Sequence, residues 1–181
     1  MTPKDTSRRG LWKGLVNLFT GGAAVLDEQV QRPLPGETER ASRGSSETIE
    51  IDPPTADGLR ITYAPDRDGD PDAGEVIWTW VPYAENDGRG KDRPVVVIGR
   101  ISPERVYAVR MTSKSHEGDR DFLPLGTGEW DAQGRESWVD IEQLYSVHHD
   151  GMRREAAILD LERFAIIAQA LTRRYGWKVG A

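Results

Sequence analysis

Between residues 74 and 113 apolar and polar side chains alternate in successive runs, and this pattern predicts three neighbouring strands of one sheet. In residues 75–81, Val76, Trp78 and Trp80 fall on one face and Ile77, Thr79 and Val81 on the other, the period of a pleated ribbon. Trp78 and Trp80, sharing a face with Val76, are expected in the core. A second run extends from Pro94 to Gly99. Proline has no N–H to give to a ladder, so Pro94 is expected at the first position of that strand, with Arg93 at the mouth of the preceding loop. A third strand is expected over 106–112 after a turn at 101–105, and a later one near 136–145. The period then changes: Phe164, Ile167, Ala168, Leu171 and Tyr175 form a helical stripe. It predicts a helix over 161–175, with Asp160 as N-cap, Arg173 and Arg174 suiting the C-terminal dipole, and Gly176 as the stop. Five or six short strands followed by one helix predict a mainly β domain, a small curled sheet or barrel with a C-terminal helix.

The pattern before residue 73 is different. In residues 8–19, Leu11, Trp12, Leu15, Val16 and Phe19 share a helical face from which Arg8, Arg9 and Lys13 are excluded, so residues 1–30 are expected to hold a short amphipathic helix. The run is too short and too glycine-broken to span a membrane, and Lys13 and Asn17 make it a poor signal peptide. Contact with a membrane surface, docking to a partner and a transient helix in a tail remain the three readings. Residues 31–72 are rich in Pro, Gly, Ser and acidic side chains and are predicted to form a linker, with residues 59–63 as a possible added edge strand. Asp66, Asp68, Asp70 and Asp72 do not fit a calcium loop, because Gly69 stands at the fourth position and Ile77 where the twelfth-position Glu belongs. The predicted domain is therefore 73–181.

Composition changes this picture in two ways. The 181 residues include no cysteine, which excludes disulfides and thiolate metal sites and fits a reducing cytoplasm, peripheral to the membrane if residues 8–19 bind lipid. The net charge of −6 is concentrated in residues 31–72, where ten acidic side chains stand against five basic ones, so it does not exclude a nucleic-acid substrate for the domain.

Gly74-Glu75-Val76-Ile77-Trp78, then a polar loop, Arg93-Pro94-Val95-Val96-Val97-Ile98, and a strand ending in Thr112-Ser113 resemble the MazF/PemK family of toxin endoribonucleases. The likeness continues through Asp121-Phe122-Leu123-Pro124-Leu125 and the closing helix, and covers roughly residues 73–176. It implies an SH3-like barrel of the MazF/CcdB kind, a homodimer, a cognate antitoxin, and metal-independent cleavage of single-stranded RNA without a cofactor. It also implies that Arg93 and Thr112 are the catalytic pair. The chain departs from the family in its first loop, where residues 82–92 replace the common Gly-Ser-Glu-Gln.

Such cleavage uses the 2′-hydroxyl of the substrate as nucleophile, and needs a base, an acid and donors around a charged phosphorane. Arg93 offers a planar fork of donors but is a poor base, so its expected role is charge stabilisation. His116 is a further catalytic candidate, because imidazole titrates near neutrality. Asp87, Arg89, Lys91, Ser113, Lys114 and Trp130 are candidates for contacting RNA, Trp130 as an exposed stacking surface in the loop 128–134. His148 and His149 precede Asp150, but neighbouring strand residues point to opposite faces, which argues against a shared metal site. The competing reading is an inactive relative that binds DNA or RNA, or that acts on a protein such as gyrase.

Overall fold

The computed structural model describes residues 46–180, except for Ala84, Asn86 and the side chains of Arg154 and Glu155. The helix expected over 8–19, with its membrane or docking role, lies outside the described residues. Among those described, no helix is long and apolar enough to cross a membrane.

In chain order the elements are β1 (Ile49–Ile51), β2 (Arg60–Ile61), β3 (Glu75–Pro82), β4 (Gly90–Ser102), β5 (Arg105–Thr112), β6 (Phe122–Gly126), β7 (Ser137–His148), a 3-10 turn (His149–Gly151), β8 (Met152–Ile158), α1 (Leu161–Tyr175) and β9 (Lys178–Val179). The main sheet is antiparallel, in the order β1-β7-β5-β4-β3-β8, and β6 adds to β7. It curls far enough for the hydroxyls of Thr48, just before β1, and Thr79 of β3 to meet at 2.7 Å. The fold is thus mainly β with a C-terminal helix, as the alternation predicts.

Period-2 patterning divides the core between the two faces of this sheet. Val76, Val96, Ile98, Val109 and Leu144 face α1, where they pack with Phe164, Ile167 and Leu171. Ile77, Val95, Val97, Ala108, Tyr145 and Val147 fill the opposite face. Each fully buried aliphatic side chain of this kind contributes about 1.5–3 kcal/mol. The helix ends are those expected: the Asp160 carboxylate accepts the Arg163 N–H at 2.9 Å, and Gly176 takes the left-handed conformation at φ 74° that stops the helix.

Three expectations are corrected. Pro94 is not the first residue of its strand, since β4 begins at Gly90 and Pro94 lies opposite Trp78 within it. A proline is tolerated there because β5 joins β4 only from Val95↔Arg110 onward, which leaves residues 90–94 paired on one side alone. The predicted linker is not wholly a linker: β1 pairs with β7, and β2 forms a two-stranded parallel sheet with β9. Leu59 and Ile61 are buried, and the Trp177 indole donates to the Pro54 carbonyl at 3.0 Å. β2 falls within residues 59–63, where an added strand is expected, although it pairs with β9 rather than with the main sheet. β1 has too few apolar residues in a row for periodicity to reveal it. β8 was also unforeseen, because its charged sequence lacks a clean alternation; it pairs with β3 at the edge of the sheet.

Trp130 is the third correction. It is 2% exposed and its indole N–H donates to Ser137 Oγ at 2.9 Å, so it presents no free face to a base. Gly128 makes room for it: a Cβ there would stand 2.1 Å from the Trp130 ring. Gly128→Ala is expected to displace the ring and to cost about 1–3 kcal/mol, as overpacking does. Urea unfolding measures this, and wild-type stability in the variant would show that the loop yields instead.

Candidate functional site

A cleft of about 320 Å³ opens where two strands part company. Residues 91–94 of β4 stay on β3, from Val81↔Lys91 to Trp78↔Pro94, whereas β5 beyond Arg110 pairs with β7, at Met111↔Val139 and Thr112↔Trp138. The gap between the strands is therefore lined on one side by Lys91, Asp92, Arg93 and Pro94 and on the other by Met111, Thr112, Ser113 and Lys114. Trp78, Trp130, Asp131, Arg135 and Ser137 complete it.

Of the residues singled out in the sequence, Arg93, Thr112, Lys91, Ser113 and Lys114 are brought together here, and Trp130 contributes only as buried wall. Asp87 and Arg89 do not line the cleft. They pair with each other at 2.7 Å in the β3–β4 loop, which the Tyr83 N–H closes onto the Arg89 carbonyl. The Arg89 backbone N–H and then its side chain hold the Asp87 carboxyl below the usual carboxylate range. His116 also does not line it: its ring stacks on Phe122 with centroids 3.5 Å apart, and Nδ1 lies 3.4 Å from Asp119 Oδ2. The structure thus gives no support to His116 as the base.

Arg93 is the unusual member. Its Nε is buried and has no hydrogen-bond partner. The carboxylates nearest to it in sequence have other partners: Asp87 is taken by Arg89 at 2.7 Å, and Asp92 lies 3.6 Å from Arg153. Burial first, and then the Arg110 charge, push the Arg93 guanidinium below the ordinary arginine value. Arg110 itself is held by Asp140, with both Nε and Nη2 at 2.8 Å from one carboxylate oxygen. An anion in the cleft would offset the Arg110 repulsion, and would accept the Arg93 N–H once the guanidinium turns toward it.

The other groups are positioned by local geometry. Thr112 ends β5, and its Oγ1 accepts the Lys114 N–H at 3.2 Å, which fixes the oxygen and leaves its own proton to donate. Asp131 accepts Arg135 Nε at 2.7 Å and the Gln133 N–H at 2.9 Å, and these bonds lower its pKa in that order. The half-buried Trp78 is steadied by its indole N–H, 3.3 Å from the Trp130 carbonyl. Trp78, Asp131 and Arg135 were missed as cleft residues. The loop 128–134 contains Asp131 and precedes Arg135, but nothing local in the sequence shows which strand that loop folds over. Burial pushes the nearby Tyr145 phenol up to about 12, so it keeps its proton and acts as core.

A curled antiparallel sheet with one closing helix, and a basic cleft between its parting strands, define the class of protein. The chain belongs to the PemK-like, MazF-like toxins of type II toxin-antitoxin systems, whose family model matches residues 72–174. Solved structures resemble it at low identity. An endoribonuclease in complex with its cognate antitoxin from a mycobacterial species is 15% identical, over 57% of this chain and 93% of that one, with a TM-score of 0.45. The MazE-MazF structure (Form-II) from Deinococcus radiodurans is 19% identical, over 59% and 96%, with a TM-score of 0.46. The Mycobacterium tuberculosis toxin MazF-mt6 is 14% identical, over 57% and 98%, with a TM-score of 0.43. No curated protein sequence matches the chain.

Proposed function

We propose that this protein is a metal-independent endoribonuclease toxin that cleaves single-stranded RNA and is restrained by a cognate antitoxin. The observation that carries the reading is the buried, unpartnered Arg93 Nε in a cleft that also holds Thr112, Lys91 and Lys114. Family membership supplies the reaction class. In this reading the 2′-hydroxyl attacks the adjacent phosphorus, the new O2′–P bond forms as the P–O5′ bond breaks, and the products are a 2′,3′-cyclic phosphate and a free 5′-hydroxyl. Arg93 stabilises the charge that grows on the phosphorane oxygens, and the Thr112 hydroxyl is a second donor to them. Lys91 and Lys114 meet flanking phosphates, contacts that place the strand without reading its sequence. A single strand suits the cleft chemistry because its bases can be splayed away from the backbone.

The test is incubation of a long single-stranded RNA with the purified protein in EDTA, followed by mapping of the new ends. Cleavage leaving cyclic phosphates is the expected result. Intact RNA in the presence of folded protein would overturn the nuclease reading, and RNA retention without cleavage would then favour the binding-module alternative.

A further inference from the structure

At the other end of β5 from the cleft the chain makes a second chemical constellation. His148 pairs with Arg105, the first residue of β5, whereas Thr112 is the last, so the two regions are roughly 23 Å apart along the strand. β7 ends at His148, and the 3-10 turn His149–Gly151 begins at once. The alternation that would send His148 and His149 to opposite faces therefore fails at this point. The donor atoms of His148, His149 and Asp150 lie within 4.8 Å of one another.

We propose that His148, His149 and Asp150 bind a first-row divalent transition-metal ion of the Zn²⁺ type, independently of the RNA cleft. The separations suit one ion. Asp150 Oδ1 is 3.2 Å from His149 Nε2, and Oδ2 is 3.8 Å from His148 Nδ1. Tetrahedral zinc with ligands at about 2.1 Å places neighbouring donors roughly 3.4 Å apart, and the exposed Asp150 carboxylate can rotate to close the difference.

The tautomer is already set. His148 Nδ1 accepts the Asp150 N–H at 3.1 Å, so in the neutral ring the proton is on Nε2, which lies 3.8 Å from Glu104 Oε2. Nδ1 thus carries the lone pair, at present engaged by the Asp150 N–H, that a metal would take. The exposed Glu104 carboxylate needs to move by less than about 1 Å to accept Nε2–H and orient the ring. Metal binding exchanges one backbone hydrogen bond for one coordinate bond. Glu104 is held at the site by its own carbonyl, which accepts the His149 N–H at 3.0 Å. Two imidazoles with one carboxylate favour zinc-like ions over Mg²⁺ or Ca²⁺, which prefer all-oxygen shells. Solvent reaches His149 and Asp150, so water can fill the remaining position.

Calorimetric titration of the full chain with Zn²⁺ tests this directly. One ion per chain is expected, with no uptake of Mg²⁺ under the same conditions. His149→Ala should weaken binding by roughly tenfold or more, and Glu104→Gln, which leaves the three ligands in place, by about tenfold. The chain contains only three histidines, so His116→Ala is a clean control and should bind as the native protein does. His149 and Glu104 are solvent-accessible, and circular dichroism verifies that each variant is folded. No stoichiometric uptake, undiminished uptake by His149→Ala, or loss of uptake in His116→Ala would each overturn the proposal. None of these outcomes bears on RNA cleavage in EDTA.

Discussion

Replacing Arg93 with alanine is expected to reduce RNA cleavage by about 100- to 1,000-fold, the loss that follows removal of one preorganised donor to a developing oxyanion. The side chain is well placed for such an effect. It leaves β4 opposite Thr79, and both neighbouring carboxylates that would quench its charge are paired with other arginines. Its buried Nε–H has no partner in the ligand-free fold, so a turn of the guanidinium toward a substrate phosphate breaks no existing hydrogen bond at that atom. For the same reason folding should tolerate the change: truncation removes an unsatisfied buried donor and brings two nearby positive charges down to one. Arg93→Lys retains the charge but loses the planar fork, and should recover only a small part of the rate. Initial rates on a fluorogenic single-stranded RNA, measured for both variants and for Thr112→Ala, provide the comparison. Native-like cleavage by Arg93→Ala would remove Arg93 from the mechanism.

The second large effect concerns stability. Trp177→Ala is expected to lower the free energy of unfolding by about 3–5 kcal/mol, the range for truncation of a buried tryptophan. Trp177 is fully buried, stacks on Tyr175 with centroids 4.4 Å apart, and donates its indole N–H to the Pro54 carbonyl. It therefore joins the C-terminal segment after α1 to residues 46–63, which run over the domain through β1 and β2. For a chain of this size the loss corresponds to a fall in Tm of roughly 10 °C. Trp177→Phe keeps most of the apolar volume but not the hydrogen bond, so it should fall between the two. Urea unfolding gives the numbers, and limited proteolysis should show earlier cutting within residues 46–63 of the alanine variant. A change below about 1 kcal/mol would mean that this strap is held elsewhere.

These two predictions rest on residues that differed greatly in how visible they were. Arg93 stood out because it precedes a proline that opens an apolar run, and the family resemblance attached a role to it. The burial of its Nε was invisible, since it depends on groups of other strands, among them Arg110 of β5 and Tyr145 of β7, that the tertiary fold brings to residue 93. Trp177 follows the helix stop and carried no sign of its partner, 123 residues earlier. His116 drew attention through its intrinsic pKa range, yet the loop that carries it folds onto Phe122 and away from the cleft lining. Trp130 seemed exposed because its loop lacks alternation, whereas a gap left by Gly128 lets the ring turn inward.

From the sequence alone came α1 to the residue and the existence of β3, β4, β5 and β7; the pairing of Arg93 with Thr112 came from the family resemblance. The elements depend on local forces: the 2.0 and 3.6 periods, an N-cap carboxylate and a left-handed glycine act within a few residues. Only the tertiary structure decided that residues 46–58 belong to the fold, that Trp78, Asp131 and Arg135 share the cleft with Arg93, and that His148, His149 and Asp150 converge. Each of these depends on sheet register or on a turn that ends a strand, and register is set by the burial of whole faces rather than by any one residue's neighbours.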